Sequence, residues 1–96
     1  MPGEMWIEYD GSAITANQLE DVLDVLSIYT DTERLEWHGG EIWIGDARQR
    51  DADEIRRALA EDPDTCGLDL IVEYRDWTTV GGVARCRNRA RVRRCP

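Results

Sequence analysis

Residues 34–44 read Arg34-Leu35-Glu36-Trp37-His38-Gly39-Gly40-Glu41-Ile42-Trp43-Ile44. Two alternating segments flank a pair of glycines, and a two-residue Gly-Gly turn suits the primed hairpin types because both positions can adopt a positive φ. Such a turn sets three cross-strand pairs: Leu35 with Ile44, Trp37 with Ile42, and Glu36 with Trp43. The first two pairs make one face of the hairpin wholly apolar. Turn length and side-chain alternation therefore predict the same register.

Other predicted elements surround this hairpin. Alternation over residues 5–9 predicts a first strand, and the capping box of Thr15 and Gln18 predicts the start of a first helix, whose apolar stripe extends to Tyr29. Possible capping boxes at Asp46 or Asp51 begin a short second helix that ends at Asp62-Pro63. A long strand over residues 68–80 follows, and Gly81-Gly82 marks a second hairpin.

The order of elements is strand, helix, strand, strand, helix, strand, with an added C-terminal strand. This order resembles the ferredoxin-like α+β fold, a two-layer sandwich with two helices on one face of an antiparallel sheet. We expect residues 1–96 to form a single domain, in which residues 83–96 are an Arg-rich strand or tail. The sheet face away from the helices, called the open face below, is predicted to carry Trp6, Glu8, Glu36, Trp43, Glu73, Arg75 and Trp77.

The last hairpin presents a conflict of register. A strict two-residue turn at Gly81-Gly82 would pair Arg89 with Tyr74 and place guanidinium groups on the core face, where an unpaired charge is too costly. A bulge or a longer turn would shift the register by one. We therefore expect the shifted register, with the arginines among the carboxylates and tryptophans of the open face.

Charge is divided very unevenly along the chain. Residues 1–76 carry all twenty carboxylates and six of the twelve arginines, a net charge of −14, whereas residues 77–96 carry six arginines and no carboxylate. The total is −8. An acidic body of this kind repels nucleic acid and anionic membranes and favours a basic partner. No stretch approaches the roughly 18 apolar residues of a membrane span, so we expect a cytoplasmic protein.

Two constellations offer alternatives. His38 with Cys66, Cys86 and Cys95 has the donor types of a zinc site, but the four residues are scattered, and we expect no cofactor and no metal. Tryptophans and arginines on one sheet face resemble the base-stacking surface of RNA-recognition folds, although the glycine-aromatic motif of that family is missing. No motif indicates a catalytic residue, so the chain is predicted not to be an enzyme.

The leading hypothesis is a non-enzymatic binding protein that occupies a basic, nucleic-acid-binding surface of a partner protein. In size, acidity and lack of catalytic motifs the chain resembles anti-CRISPR proteins and toxin-neutralising immunity proteins. The predicted contact residues are Glu20, Asp21, Asp24, Asp53, Asp62 and Asp64. The alternative is a small nucleic-acid-binding or regulatory module whose contacts are Arg85, Arg87, Arg89, Arg91, Arg93 and Trp77.

The cysteines are odd in number and lack metal-ligand spacing such as CxxC, and we expect no disulfide framework. The antiparallel return of the last strand would nevertheless bring Cys95 close to Cys66, near enough for a disulfide. Cys86 would then be the remaining thiol.

Overall fold

The computed structural model describes residues 3–80 and 83–94, and it describes the side chains of residues 3–76 and 89–94. These residues form two helices and a five-stranded antiparallel sheet. In chain order the elements are β1 (Gly3–Tyr9), α1 (Ala16–Leu26), a 3-10 turn (Thr32–Arg34), β2 (Leu35–Trp37), β3 (Glu41–Ala47), α2 (Gln49–Glu61), β4 (Leu70–Val80) and β5 (Val83–Arg91). The predicted α+β class and the predicted order of elements are confirmed.

The central hairpin has the predicted register. β2 and β3 are antiparallel and pair Leu35 with Ile44, Glu36 with Trp43, and Trp37 with Ile42. Gly39 and Gly40 have φ values of 42° and 90°, so both occupy the positive-φ region that this turn requires. Both glycines therefore adopt the backbone conformation that the turn sequence predicts.

The strands lie in the order β2-β3-β1-β4-β5. β1 is central and is antiparallel to both β3 and β4. Its residues alternate between the two faces of the sheet, and Met5 and Ile7 point to the face that both helices cover. The largest fully buried apolar side chains come from both helices and four of the strands or their ends: Met5, Ile7, Val22, Leu26, Ile42, Ile55, Leu59, Leu70, Val72 and Val92.

Helix α1 begins as predicted and ends early. The Gln18 N–H donates to Thr15 Oγ1 (3.2 Å), and the Thr15 N–H donates to Gln18 Oε1 (2.8 Å), which completes the capping box. The helix ends at Leu26. Tyr29 therefore lies in the following turn rather than on the helix stripe, and it is 38% exposed.

Helix α2 corrects two expectations. It is not short, because its 13 residues exceed the 11 of α1. Neither predicted capping box starts it: the N-cap is Arg48, whose N–H donates to the carboxylate of Asp51 (3.0 Å). Asp46 lies before the helix with a positive φ of 55°. The helix ends at Glu61, as the Asp62-Pro63 pair predicted.

The last hairpin has the shifted register that the charge argument required. Glu73 pairs with Arg89 and Ile71 pairs with Arg91, after irregularities between Tyr74 and Arg75 and between Asp76 and Val80. Arg89 and Arg91 consequently share the open face with Glu73. Val92, immediately after β5, is only 1% exposed, and its N–H donates to Leu70 O (2.7 Å). Val92, just after β5, is therefore part of the core.

Candidate functional site

Five of the six predicted contact residues lie together on one surface. Glu20, Asp21 and Asp24 occupy the side of α1 that does not face the core, since Val22, Val25 and Leu26 are the buried residues of that helix. The chain that follows α2 packs beside them and contributes Asp62 and Asp64. The carboxylate of Asp62 accepts a hydrogen bond from the Asp64 N–H (2.8 Å), which orders this turn. We call these five residues, Glu20, Asp21, Asp24, Asp62 and Asp64, the acidic surface.

The pKa of Asp21 is sensitive to the charges around it. Partial burial raises the pKa of Asp21 above its usual value, and the negative charges of its four neighbours raise it further, with Asp64 the strongest of them. In residues 3–76 and 89–94 no arginine forms an ion pair with any member of the acidic surface. The negative potential of this surface is therefore directed at solvent.

Asp53, the sixth predicted contact residue, lies elsewhere. It is on the first half of α2, where its Oδ1 accepts a hydrogen bond from Arg56 Nη1 (3.1 Å). It is not one of the carboxylates that raise the pKa of Asp21. On sequence alone, Asp53 is grouped with the other five because it is acidic and lies on a helix. In the fold, however, the exposed side of α2 that carries Asp53 is not part of the acidic surface.

Arg89 and Arg91, at the end of β5, pair with carboxylates on or beside the open face. Arg89 donates to both carboxylate oxygens of Glu8, at 2.8 Å and 2.7 Å. Its Nη1 also lies 3.5 Å from Glu73 Oε2. Hydrogen bonding from Arg89 holds the pKa of Glu8 below its usual value, against the effect of burial. Arg91 forms an ion pair with Asp69.

The remaining residues of the alternative nucleic-acid site divide into two groups. Arg93 is exposed and is described below with a groove beside α2. The side chains of Arg85, Arg87 and Trp77 lie outside those that the structure describes. Base stacking on the open face therefore stays a prediction.

The described part of the open face is built around two tryptophans. Trp6 and Trp43 meet edge to face, with ring centroids 6.4 Å apart, and Trp43 Nε1 donates to Glu4 Oε2 (2.8 Å). The guanidinium of Arg75 lies 5.6 Å from the Trp6 ring centroid, and it also pairs with Glu73 (3.2 Å). Cation–π contact and ion pairing thus hold these side chains to one another.

His38 and Cys66 do not form the alternative zinc site. The ring of His38 packs on Trp6, with centroids 5.8 Å apart, and Cys66 is disulfide-bonded. Among the residues that the structure describes, no group of three or more His, Cys, Asp or Glu side chains could hold a metal ion. The predicted approach of Cys95 to Cys66 concerns a residue outside the described ranges, so it stays a prediction.

A groove beside α2 was not found by sequence reasoning. It has a volume of about 840 Å³ and is lined by Asp53, Arg56, Arg57, Ala60, Glu61, Pro63, Cys66, Arg91, Arg93 and Arg94. Arg56 and Arg57 are separated from the last three arginines by more than thirty positions in the sequence. The one signal in the sequence was the pair of adjacent arginines, Arg56 and Arg57, in a helix that also carries four carboxylates.

No helix in residues 3–80 or 83–94 combines the length and the apolar character needed to cross a bilayer. No family model, no curated protein and no solved structure matches this chain. Its function is therefore inferred from the charges and contacts described above.

Proposed function

We propose that this chain is a non-enzymatic binding protein whose acidic surface docks onto a basic surface of a partner protein. The partner is a protein that handles nucleic acid, and docking of the acidic surface blocks its nucleic-acid site. An inhibitor of this kind would act as anti-CRISPR and immunity proteins do, which the chain resembles in composition. A single carboxylate on a protein surface is ordinary. The proposal therefore depends on the five carboxylates of the acidic surface lying together.

The convergence of carboxylates from α1 and from the chain after α2 is the observation that carries the proposal. Their negative charges add to the effect of burial in raising the pKa of Asp21, so they are close enough to repel one another. Such repulsion is unfavourable in the free protein and is relieved when cationic side chains of a partner enter the surface. A basic partner would thereby gain both attraction and faster association.

The ion pairs of Arg89 and Arg91 also support a basic protein, rather than nucleic acid, as the partner. Arg89 and Arg91 are engaged with Glu8, Glu73 and Asp69 on or beside the open face. Their charge is therefore partly neutralised within the fold, and it does not offset the field of the acidic surface on α1. A strand whose arginines were free would instead have favoured nucleic acid as the partner.

An exposed apolar residue adjoins the acidic surface. Ile28 lies in the turn just after α1, four positions beyond Asp24, and is 74% exposed. Protein interfaces combine an apolar centre with a charged rim. Ile28 would supply an apolar contact next to the charges of the acidic surface.

We also propose that the architecture is ferredoxin-like. The strand order β2-β3-β1-β4 with antiparallel neighbours, and the helices that follow β1 and β3, support this assignment. In this description β5 is an addition that extends the sheet beyond β4.

The experiment compares two variants with the same change of charge. Asp21→Arg with Asp24→Arg alters the acidic surface, whereas Glu33→Arg with Glu54→Arg alters exposed carboxylates away from it. The wild-type chain is immobilised, proteins from its native host are retained and identified, and association with each purified partner is measured at two ionic strengths.

We expect the first variant to associate at least about tenfold more slowly at low salt and to lose most of its salt dependence. The Glu33 and Glu54 variant should differ from the wild type much less. Equal binding by both variants would rule out the acidic surface as the docking site. Tight binding of a labelled oligonucleotide to the wild type would favour the alternative nucleic-acid module.

A further inference from the structure

The groove beside α2 gathers positive charge in a protein whose net charge is −8. Five arginines and two carboxylates line it. Arg56 and Arg57 come from one face of α2, and Arg91, Arg93 and Arg94 come from the end of β5 and the chain that follows it. A local excess of three positive charges inside an acidic molecule needs an explanation.

The guanidinium groups of this groove differ in their hydrogen bonds and ion pairs within the protein. Arg56 is 18% exposed in its side chain and donates to Asp53 (3.1 Å) and to Val72 O (3.0 Å). Arg94 donates to Gly67 O (3.1 Å), which is a neutral acceptor. For Arg57 and Arg93, both exposed, no carboxylate of residues 3–76 or 89–94 lies within ion-pair distance.

We propose that this groove binds a small organic phosphate of nucleotide size. A guanidinium group donates in a fork that matches phosphate oxygens, and it keeps its charge at every physiological pH. Arg57 and Arg93 would hold the phosphate groups, with Arg94 beside them. Arg56 and Arg91 are already paired and would contribute mainly their field.

The size and the walls of the groove indicate more than a bare phosphate ion. About 840 Å³ lies within the range of roughly 300–1,000 Å³ found for small-molecule sites. Ala60 and Pro63 contribute an apolar wall to the groove. An organic group attached to the phosphate would pack against that wall.

The surrounding charge favours a compact ligand over a polymer. Glu61 borders the groove, and the next residue, Asp62, belongs to the acidic surface. A long nucleic acid leaving the groove would cross this negative region, where repulsion extends over a Debye length of about 8 Å at physiological salt. A nucleotide contained within the groove avoids that repulsion.

This inference is independent of the proposed docking function, because the two use different residues. Loss of Arg57 and Arg93 should leave partner binding through the acidic surface unchanged. Reversal of Asp21 and Asp24 should leave the groove able to bind phosphate.

The test is calorimetric titration of the full chain with ADP, with adenosine and with inorganic phosphate at low ionic strength. We expect ADP to bind, adenosine to bind at least about tenfold more weakly, and phosphate alone to be intermediate or weaker than ADP. The variant Arg57→Gln with Arg93→Gln should lose about tenfold or more in affinity for ADP. The control Arg34→Gln with Arg48→Gln removes two exposed arginines outside the groove and should bind ADP within about twofold of the wild type.

Three results would overturn the proposal. The first is no heat of binding for ADP at millimolar concentration with the wild-type chain. The second is an equal loss in the groove variant and in the control, which would indicate a general charge effect. The third is a single-stranded oligonucleotide that binds the groove more tightly than ADP, which would replace the small ligand by a polymer.

Discussion

Arg89 donates two hydrogen bonds to the carboxylate of Glu8, from Nη1 to Oε1 at 2.8 Å and from Nη2 to Oε2 at 2.7 Å. The two residues are 81 positions apart in the sequence and lie on strands separated by β4. The guanidinium therefore reaches across a whole strand on the open face. This contact joins the basic end of the chain to its acidic beginning.

Replacing Glu8 by Gln should lower the free energy of unfolding by about 1 kcal/mol at pH 7, the upper value for a partly exposed ion pair. Arg89→Gln should cost a similar amount, and the double variant should cost less than the sum because the two residues interact. Urea denaturation of the four proteins measures this coupling. Additive losses would mean that the pair contributes nothing to stability.

The same pair predicts a pH dependence. The folded-state pKa of Glu8 is lowered, so its stabilising contribution is present above its unfolded pKa of about 4.3 and is lost as pH falls through the lower folded value. The difference in unfolding free energy between wild type and Glu8→Gln should thus be constant near pH 7 and shrink below about pH 4. A difference that stays constant down to pH 2 would contradict this.

Asp21 should behave in the opposite way. Its folded-state pKa is raised, so its charge destabilises the fold at neutral pH, and this cost disappears as pH falls below the unfolded value of about 3.9. Asp21→Asn should therefore raise the melting temperature slightly at pH 7 and leave it unchanged at pH 3. Asn17→Asp, on the same helix, provides a control for the helical context. A lower melting temperature for Asp21→Asn at pH 7 would show that the carboxylates of the acidic surface do not repel one another.

Deletion of residues 83–96 should destabilise the protein and make it aggregate. The deletion removes the buried Val92, worth about 1.5 kcal/mol or more, and turns β4 into an edge strand. Thermal unfolding and light scattering measure the two effects. Val92→Ala, which keeps the strand, should show a smaller loss of stability without aggregation. Native melting in the truncated chain would identify residues 83–96 as a free tail.

Cys66 is disulfide-bonded, and proteolysis without a reducing agent followed by mass spectrometry should recover it linked to Cys95. The Val92 N–H donates to Leu70 O (2.7 Å), so the described residues 93 and 94 run towards the region of Cys66. Gly67, next to Cys66, accepts from Arg94, next to Cys95. A dominant Cys66–Cys86 product would contradict this path of the chain. Cys66→Ser should abolish the crosslinked peptide and serves as the control.

Local sequence was sufficient to predict those structural features that depend on interactions between residues close together in the chain. Two glycines with positive φ and the alternation around them predicted the pairing of Leu35 with Ile44. The reciprocal hydrogen bonds of Thr15 and Gln18 span three residues, and they predicted the start of α1. The cap of α2 was missed because several acidic residues near Asp46 compete for that role.

The sequence by itself determined the α+β class, the central hairpin and, through the cost of burying unpaired guanidinium groups, the register that sets Arg89 opposite Glu73. Only the tertiary structure decided which charges meet. It placed Asp62 and Asp64 beside Asp21, and it brought α2 together with Arg91, Arg93 and Arg94 around one groove. The physical reason is that electrostatic interactions depend on distance in space, and for residues far apart in the sequence that distance is set by packing.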